Sequence, residues 1–203
     1  MHALIVISHP KPSSLTHAVA ARIAEGVTAS AASHSYELAD LTAEGFDPTF
    51  TAADIAVHLR QGPTPADVAA EQARLDRADA LVLAFPVYWW SMPGLLKGWI
   101  DRVFTNGWAY DEDASGKVVK RLRRLAVHLT AVGGASLRTY ARYGYFGAMR
   151  TQIAHGIFNY CGARVVTTEL LLPSERAYSQ SHLATAYALG VRLFSSSEAE
   201  KTS

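Results

Sequence analysis

Tyr88, Trp89 and Trp90 stand in a row between Pro86 and Pro93, directly after an apolar run that ends at Phe85. Three large aromatics on a sharp turn offer a stacking surface, and the amides around Pro86 and Val87 offer donors to the polar edge of a planar heteroaromatic. Core or interface packing is the competing use, and a row of three usually includes at least one residue so used. A second stretch, His9-Pro10-Lys11-Pro12-Ser13-Ser14-Leu15-Thr16, lies between another apolar run and a helical pattern. Backbone N–H groups and the helix dipole attract an anion there. The Ser13, Ser14 and Thr16 hydroxyls add donors, Lys11 adds charge, and a ring N–H of His9 could reach a phosphate oxygen. A plain helix cap beside a solvated Lys and His uses the same residues. The third stretch holds Gly133-Gly134, then Tyr140, Tyr143, Gly144 and Tyr145. Paired glycines let backbone amides approach a ligand closely, or simply turn the chain. A tyrosine hydroxyl beside them could stabilise negative charge, although a single tyrosine is more often a surface or interface residue.

Other chemistries find little support. The phosphate-loop pattern G-x-x-x-x-G-K-[ST], the G-x-G-x-x-G fingerprint and the G-x-S-x-G elbow are absent, and no Cys/His cluster has metal-ligand spacing, so no metal is expected. His128 sits within a strand pattern and reads as a satisfied core histidine. His155 and His182 fall on helical patterns without an evident partner, and Cys161 at a helix end reads as packed rather than nucleophilic.

The elements that must position these stretches alternate strand and helix. Ala3–Ile7, Tyr36–Leu38, Ala80–Phe85, Arg124–Thr130 and Val165–Leu172 read as strands, the first and third as unbroken apolar runs of the kind buried on both faces. Helices are expected over Thr16–Ala29 with Thr16 as N-cap, Pro65–Ala78 with Thr64 as cap, Gly94–Phe104, Gly147–Tyr160 and His182–Phe194. In the helix after the aromatic turn, Leu96, Ile100, Val103 and Phe104 read as core, and Lys97, Asp101 and Arg102 as a solvated face. Residues 41–65 read as a long loop with a helical turn near Asp54–Leu59, and loops of that length usually cover a site or carry function. The alternation predicts an α/β fold: a doubly wound, five-stranded parallel sheet with helices on both faces and ligands beyond the carboxyl ends of the strands. One domain over residues 1–194 and a flexible polar tail over 195–203 are expected.

The 203 residues carry a net charge of +1, with 49% hydrophobic and 18% charged side chains, which points away from nucleic acid and anionic membranes. One cysteine excludes an internal disulfide and favours a reducing compartment. No apolar run approaches the roughly 18 residues of a membrane span, and no secretory leader is visible, so a cytoplasmic protein is expected.

With these stretches in view, the chain resembles the flavodoxin-like NAD(P)H:quinone oxidoreductases, the DT-diaphorase family and its bacterial relatives. The likeness covers nearly the whole chain. It rests on His9–Thr16, on Asp67, Glu71 and Gln72 leading to Ala78-Asp79, on Phe85–Phe104 with its L-L-K-G-W-x-D-R-V-F run, and on Gly133-Gly134 with Tyr140. The resemblance implies a tightly held flavin. His9, Ser13, Ser14, Leu15 and Thr16 would line its phosphate and ribityl part. Pro86, Val87, Tyr88, Trp89 and Trp90 would lie along the isoalloxazine. The Gly133 and Gly134 amides would face the pyrimidine end, with Tyr140 touching the same end and helping the hydride step. It further implies two-electron reduction of a quinone by NAD(P)H in a ping-pong cycle, and a homodimer whose sites the partner completes, with Trp99, Trp108, Tyr110 and the 105–121 loop as candidate contacts. FAD is the expected flavin, because residues 41–65 are long enough to cover an adenine, with FMN as the alternative. Other roles within the resemblance are azo- or nitro-compound reduction and an ancillary flavoprotein of a potassium-efflux system.

Two positions depart from the family. Tyr88 stands where its best-known members have Gln, and Phe146 where they have a histidine that follows the tyrosine, so that histidine's role does not carry over; Tyr143 or Tyr145 could take its place. A long C-terminal extension of the larger members is also missing.

Overall fold

The computed structural model describes residues 1–173 and 178–195, and the expected tail lies beyond Ser195, outside the described residues. β1 (His2–Ile7) leads into α1 (Leu15–Ser30), β2 (Ser35–Asp40), α2 (Ala52–His58), α3 (Ala66–Arg77), β3 (Ala80–Pro86) and α4 (Gly94–Val103). There follow a short pair, β4 (Tyr110–Glu112) and β5 (Val118–Lys120), then β6 (Ala126–Val132), α5 (Leu137–Tyr143), α6 (Tyr145–Met149) with a π-helical continuation over Arg150–Asn159, β7 (Arg164–Leu171) and α7 (Tyr178–Val191). Five strands form one sheet in the order β2-β1-β3-β6-β7, every pairing parallel. With the β4–β5 hairpin set aside this is the 2-1-3-4-5 order of doubly wound folds, and it changes direction between β1 and β3. Among the described residues, no helix is long and apolar enough to cross a membrane.

The two faces of β1 and β3 fill two cores, which is why neither strand shows a polar face in sequence. Leu4, Val6, Leu81, Leu83 and Phe85 pack on one side with α4 and the π-helical segment, and Ala3, Ile5, Ala80 and Val82 on the other with α1 and α7. On that second side the helices meet backbone to backbone. A Cβ on Gly26 would stand 2.3 Å from the Tyr187 carbonyl oxygen, and one on Gly190 would stand 2.1 Å from that of Ile23, so only glycine fits at the crossing.

Several local expectations change. Ser14, not Thr16, caps α1, accepting the His17 N–H, and Thr16 is buried inside the helix. Pro65 occupies the cap position of α3 without a side-chain cap bond, so Thr64 does not serve there. The 105–121 stretch contains a hairpin closed through Asp113, whose carboxylate accepts the Ser115 and Lys117 amides. The helix expected over 147–160 takes the wider π form from Arg150. Its buried residues, Met149, Ile153, Ala154 and Phe158, recur every four to five positions, which suits that form.

Residues 41–65 are tied down rather than loose. A reciprocal capping box between Thr51 and Asp54 opens α2. Arg102 is buried rather than solvated. It donates to Asp54 Oδ1 at 3.1 Å, to Asp67 Oδ2 at 2.6 Å and to the Asp47 carbonyl at 2.8 Å, which binds α2, α3 and the preceding loop to α4. Trp99 lies in the core with its indole N–H on Glu71, so it is not available as a subunit contact, and Trp108 and Tyr110 pack on Phe104 and Tyr160.

Candidate active site

Three neighbouring strands, β1, β3 and β6, release their loops at the same sheet edge. The Ser8 amide still bonds the Ala84 carbonyl and the Val87 amide the Val132 carbonyl, which fixes where the loops part. The loop after β3 closes on itself. Tyr88 and Ser91 exchange both backbone hydrogen bonds, at 3.0 and 3.1 Å, and Trp89 and Trp90 between them have φ of 49° and 62°. Two successive positive φ values define a type I′ turn, a conformation usually filled by Asn-Gly. The turn splits the aromatic row: Trp89 is 92% exposed, Tyr88 is exposed beside it, and Trp90 folds back. The Trp90 ring stacks on Tyr145 at 3.7 Å and 9° and meets Tyr140 edge-on at 5.4 Å.

Val87, Trp89, Trp90, Gly134, Ala135 and Tyr140 line a shallow cleft of about 190 Å³. The two glycines divide the work. The Gly133 amide bonds the Leu171 carbonyl at 2.9 Å and so extends the sheet, and a Cβ on Gly133 would stand 2.8 Å from the Tyr140 hydroxyl. Gly134 is exposed, and the space where its Cβ would stand has nothing within 4 Å. Tyr140 is only 1% exposed, and burial pushes its phenol above the ordinary value, so it remains a neutral donor. Tyr143 does not join the cleft. It ends α5 at 60% exposure with the Arg142 guanidinium over its ring. Phe146 packs on Tyr140 at 5.3 Å and offers no proton. Tyr145 stacks on Trp90 and so backs the wall that Trp90 presents to the cleft.

The β1–α1 loop lies one strand further along. Ser13 is exposed, Ser14 and Leu15 are half-buried, and Ser14 carries both the cap bond and a 2.8 Å contact to His17 Nδ1. His17 Nε2 in turn lies 2.8 Å from Asp40 Oδ2 at the end of β2. His9 Nδ1 accepts the Lys11 amide at 3.0 Å, so a neutral His9 ring carries its proton on Nε2 as a donor. Burial lowers the His9 pKa, and the nearby charges of His17 and Lys11 lower it further. The donor set fits a phosphate-bearing planar group: hydroxyls, a ring N–H and a helix N-terminus at one end, and aromatics with an open glycine at the other. The His17–Asp40 link escapes a reading of motifs. His17 and Asp40 stand 23 residues apart on different elements, so only the pairing of β1 with β2 brings them together.

Three features lie elsewhere. A larger cavity of about 450 Å³ runs between β7 and the π-helical segment, lined mainly by apolar groups such as Leu129, Met149 and Ile153, behind Phe146 rather than at the cleft. Within residues 41–65, expected over an adenine, Pro48 and His58 attach the segment to α4 and the turn after it. Pro48 packs on Gly98, and His58 bonds the Asp101 carbonyl and Asn106. Cys161 is buried, and burial pushes its thiol up to about 11.

Comparison with known proteins gives a consistent picture. A family model described as the flavodoxin-like fold matches residues 1–188. The ribosyldihydronicotinamide dehydrogenase [quinone] of Pongo abelii is 29% identical over 178 residues, 77% of this chain and 75% of that protein. An NAD(P)H:quinone oxidoreductase from Methanothermobacter marburgensis superposes with a TM-score of 0.86 at 28% identity, covering 95% of this chain and 98% of that one. The general stress protein 14 of Treponema denticola, in complex with FMN, superposes with a TM-score of 0.60 at 26% identity, covering 93% and 99%.

Proposed function

The chain belongs to the flavodoxin-like fold family, and from that we propose an NAD(P)H-dependent flavin oxidoreductase that reduces quinones by two electrons in a ping-pong cycle. One observation carries the reading most directly: the Trp89–Trp90 turn faces Gly134 and the Tyr140 ring across a cleft at the sheet edge, beside a helix N-terminus furnished with hydroxyls. The likeness to quinone reductases supports the choice of acceptor. A bound flavin would supply hydride acceptance from NAD(P)H and hydride delivery to the quinone.

The chain's own residues bind, orient and balance charge. Ser13, Ser14, Leu15 and Thr16 at the start of α1 would hold the phosphate and ribityl part, with His9 donating from Nε2. Pro86, Val87, Tyr88, Trp89 and Trp90 would form one wall, and Gly134 would allow a close approach on the other. Tyr140 would donate its hydroxyl toward negative charge developing in the cleft. One slot serves both substrates, so the nicotinamide must leave before the quinone enters. FAD, with residues 41–65 over its adenine, and FMN, which the Treponema denticola neighbour holds, are the two candidate flavins; release by heat and chromatography distinguishes them. Exposed Trp89 and Tyr143 fit a homodimer in which a second chain closes the site, and size-exclusion chromatography tests that. The single-cysteine chain fits the cytoplasm. The function is tested by anaerobic stopped flow: NADH or NADPH should bleach the flavin at a catalytic rate, and a quinone should restore its colour. A flavin that neither dinucleotide bleaches overturns the reading.

A further inference from the structure

Ser14, His17 and Asp40 form a continuous hydrogen-bonded chain, and its donors and acceptors are constrained. Burial alone would raise the Asp40 carboxyl. The hydrogen bonds from His17 and from the Ala43 and Thr42 amides outweigh it and hold the group below the usual carboxylate range. Asp40 is therefore ionised and only accepts, so His17 Nε2 carries a proton whatever the charge on the ring. Two states remain. In the neutral ring, Nδ1 is an acceptor and Ser14 must donate its single hydroxyl proton to it. In the cation, Nδ1–H donates to Ser14 Oγ, and the hydroxyl proton is free to point elsewhere. Ser14 Oγ accepts the His17 amide at 3.3 Å in both states, so the helix cap does not depend on which is present.

A phosphate group mainly accepts hydrogen bonds at neutral pH. The neutral-ring state meets it with a hydroxyl lone pair, whereas the cationic state meets it with an O–H donor and a positive charge behind that donor. We propose that anchoring of the flavin phosphate at Ser14 is coupled to uptake of a proton by His17, with Asp40 fixing the ring in the orientation that permits the exchange. The inference rests on the reading that the start of α1 holds the flavin phosphate. Among the described residues, the charged and titratable groups facing His17 are Asp40 from β2 and His9 from the β1–α1 loop, whose ring lies 6.2 Å away, with Lys11 beside His9. Asp40 favours the uptake and Lys11 opposes it. His9 takes no part, because its Nδ1 is occupied by the Lys11 amide.

The test is calorimetric titration of the apoprotein with FMN, FAD and riboflavin at about pH 8, in two buffers of different ionisation enthalpy. At that pH the FMN phosphate is a dianion, its second pKa being about 6, whereas the FAD pyrophosphate has no such proton-binding step, so uptake shared by FMN and FAD does not come from the phosphate. Uptake of about one proton per phosphorylated flavin and none for riboflavin is expected, and flavin affinity should fall about tenfold per pH unit where uptake is complete. Ring-nitrogen NMR of His17 should report double protonation on FMN addition, a readout that needs no variant. H17Q should bind FMN without uptake. Tight FMN binding with no uptake, or equal uptake with riboflavin, overturns this inference and leaves the function standing. Failure of FMN and FAD alike to bind overturns the flavin reading itself.

Discussion

Replacing Gly134 by alanine separates the site from the fold. Nothing lies within 4 Å of the added Cβ, and Gly134 is not among the glycines with positive φ, so the folded protein accepts the methyl without strain. Alanine also narrows the unfolded ensemble, which stabilises such a position by about 0.4–1 kcal/mol. For a chain of this size that is a Tm about 1–4 °C higher in the apoprotein. The methyl stands in the cleft with Val87, Trp90 and Tyr140. If a flavin edge approaches the Gly134 backbone, the methyl overpacks that contact at a cost of about 1–3 kcal/mol. That corresponds to a flavin Kd about 5- to 150-fold weaker. Gly133→Ala is the contrast. Its Cβ would stand 2.6 Å from Leu172 Cδ2 and 2.8 Å from the Tyr140 hydroxyl, so it should lower stability and flavin affinity together. Thermal unfolding of the apoproteins and flavin fluorescence titrations read both quantities. Wild-type flavin affinity in Gly134→Ala would remove Gly134 from the site and refute the reasoning.

Three further outcomes are expected. Tyr140→Phe should lower the bleaching rate about tenfold, the worth of one hydrogen bond to developing charge, with flavin affinity retained; stopped flow checks it. Arg102→Leu should cost about 3–5 kcal/mol in urea unfolding, because Asp54, only 1% exposed, would be left as a buried charge without its partner. His128 is held neutral: burial, helped by the Arg164 charge, pushes it down to about 4, its Nδ1 bonds Thr167, and its Nε2 has no partner among the described residues. The unfolded chain therefore binds the extra proton first as pH falls. Stability from this group is complete above about pH 6.5 and lost toward pH 4, by about 3 kcal/mol in all, and His128→Leu should flatten that slope in urea midpoints measured against pH.

The sheet is legible in the sequence because strands buried on both faces appear as unbroken apolar runs, as at Ala3–Ile7 and Ala80–Phe85. The β4–β5 hairpin is not, since its three-residue strands carry mixed side chains and only the Ser115-Gly116 turn betrays it. Arg102 looks solvated in sequence because it follows Lys97 and Asp101, which do form an exposed pair; its burial arises only when the 46–61 segment folds across α4. The residues of the aromatic turn and of the Gly133–Gly134 corner are readable from type and position. Their division of labour is not. Which glycine completes the sheet depends on the register with β7, and which tryptophan turns inward depends on backbone angles that those residue types disfavour.

Those backbone angles bear on function. Each L-residue held in the left-handed region costs about 1–2 kcal/mol, so the Trp89–Trp90 turn stores about 2–4 kcal/mol that Asn-Gly would not. Trp90 is compensated within the chain. Its stack on Tyr145 and edge contact with Tyr140 are worth about 0.5–1.5 kcal/mol each beyond area burial. Trp89 is not compensated, because 92% of it faces solvent. A strained and fully exposed indole at the rim of a cleft gains its offset only from something that covers it, and both occupants of the proposed function do so: a planar ring in the cleft, and a second chain closing over it. On the proposed function the turn would be half of a contact whose other half is supplied on binding, and the unfavourable angles would serve the aromatic surface rather than the turn.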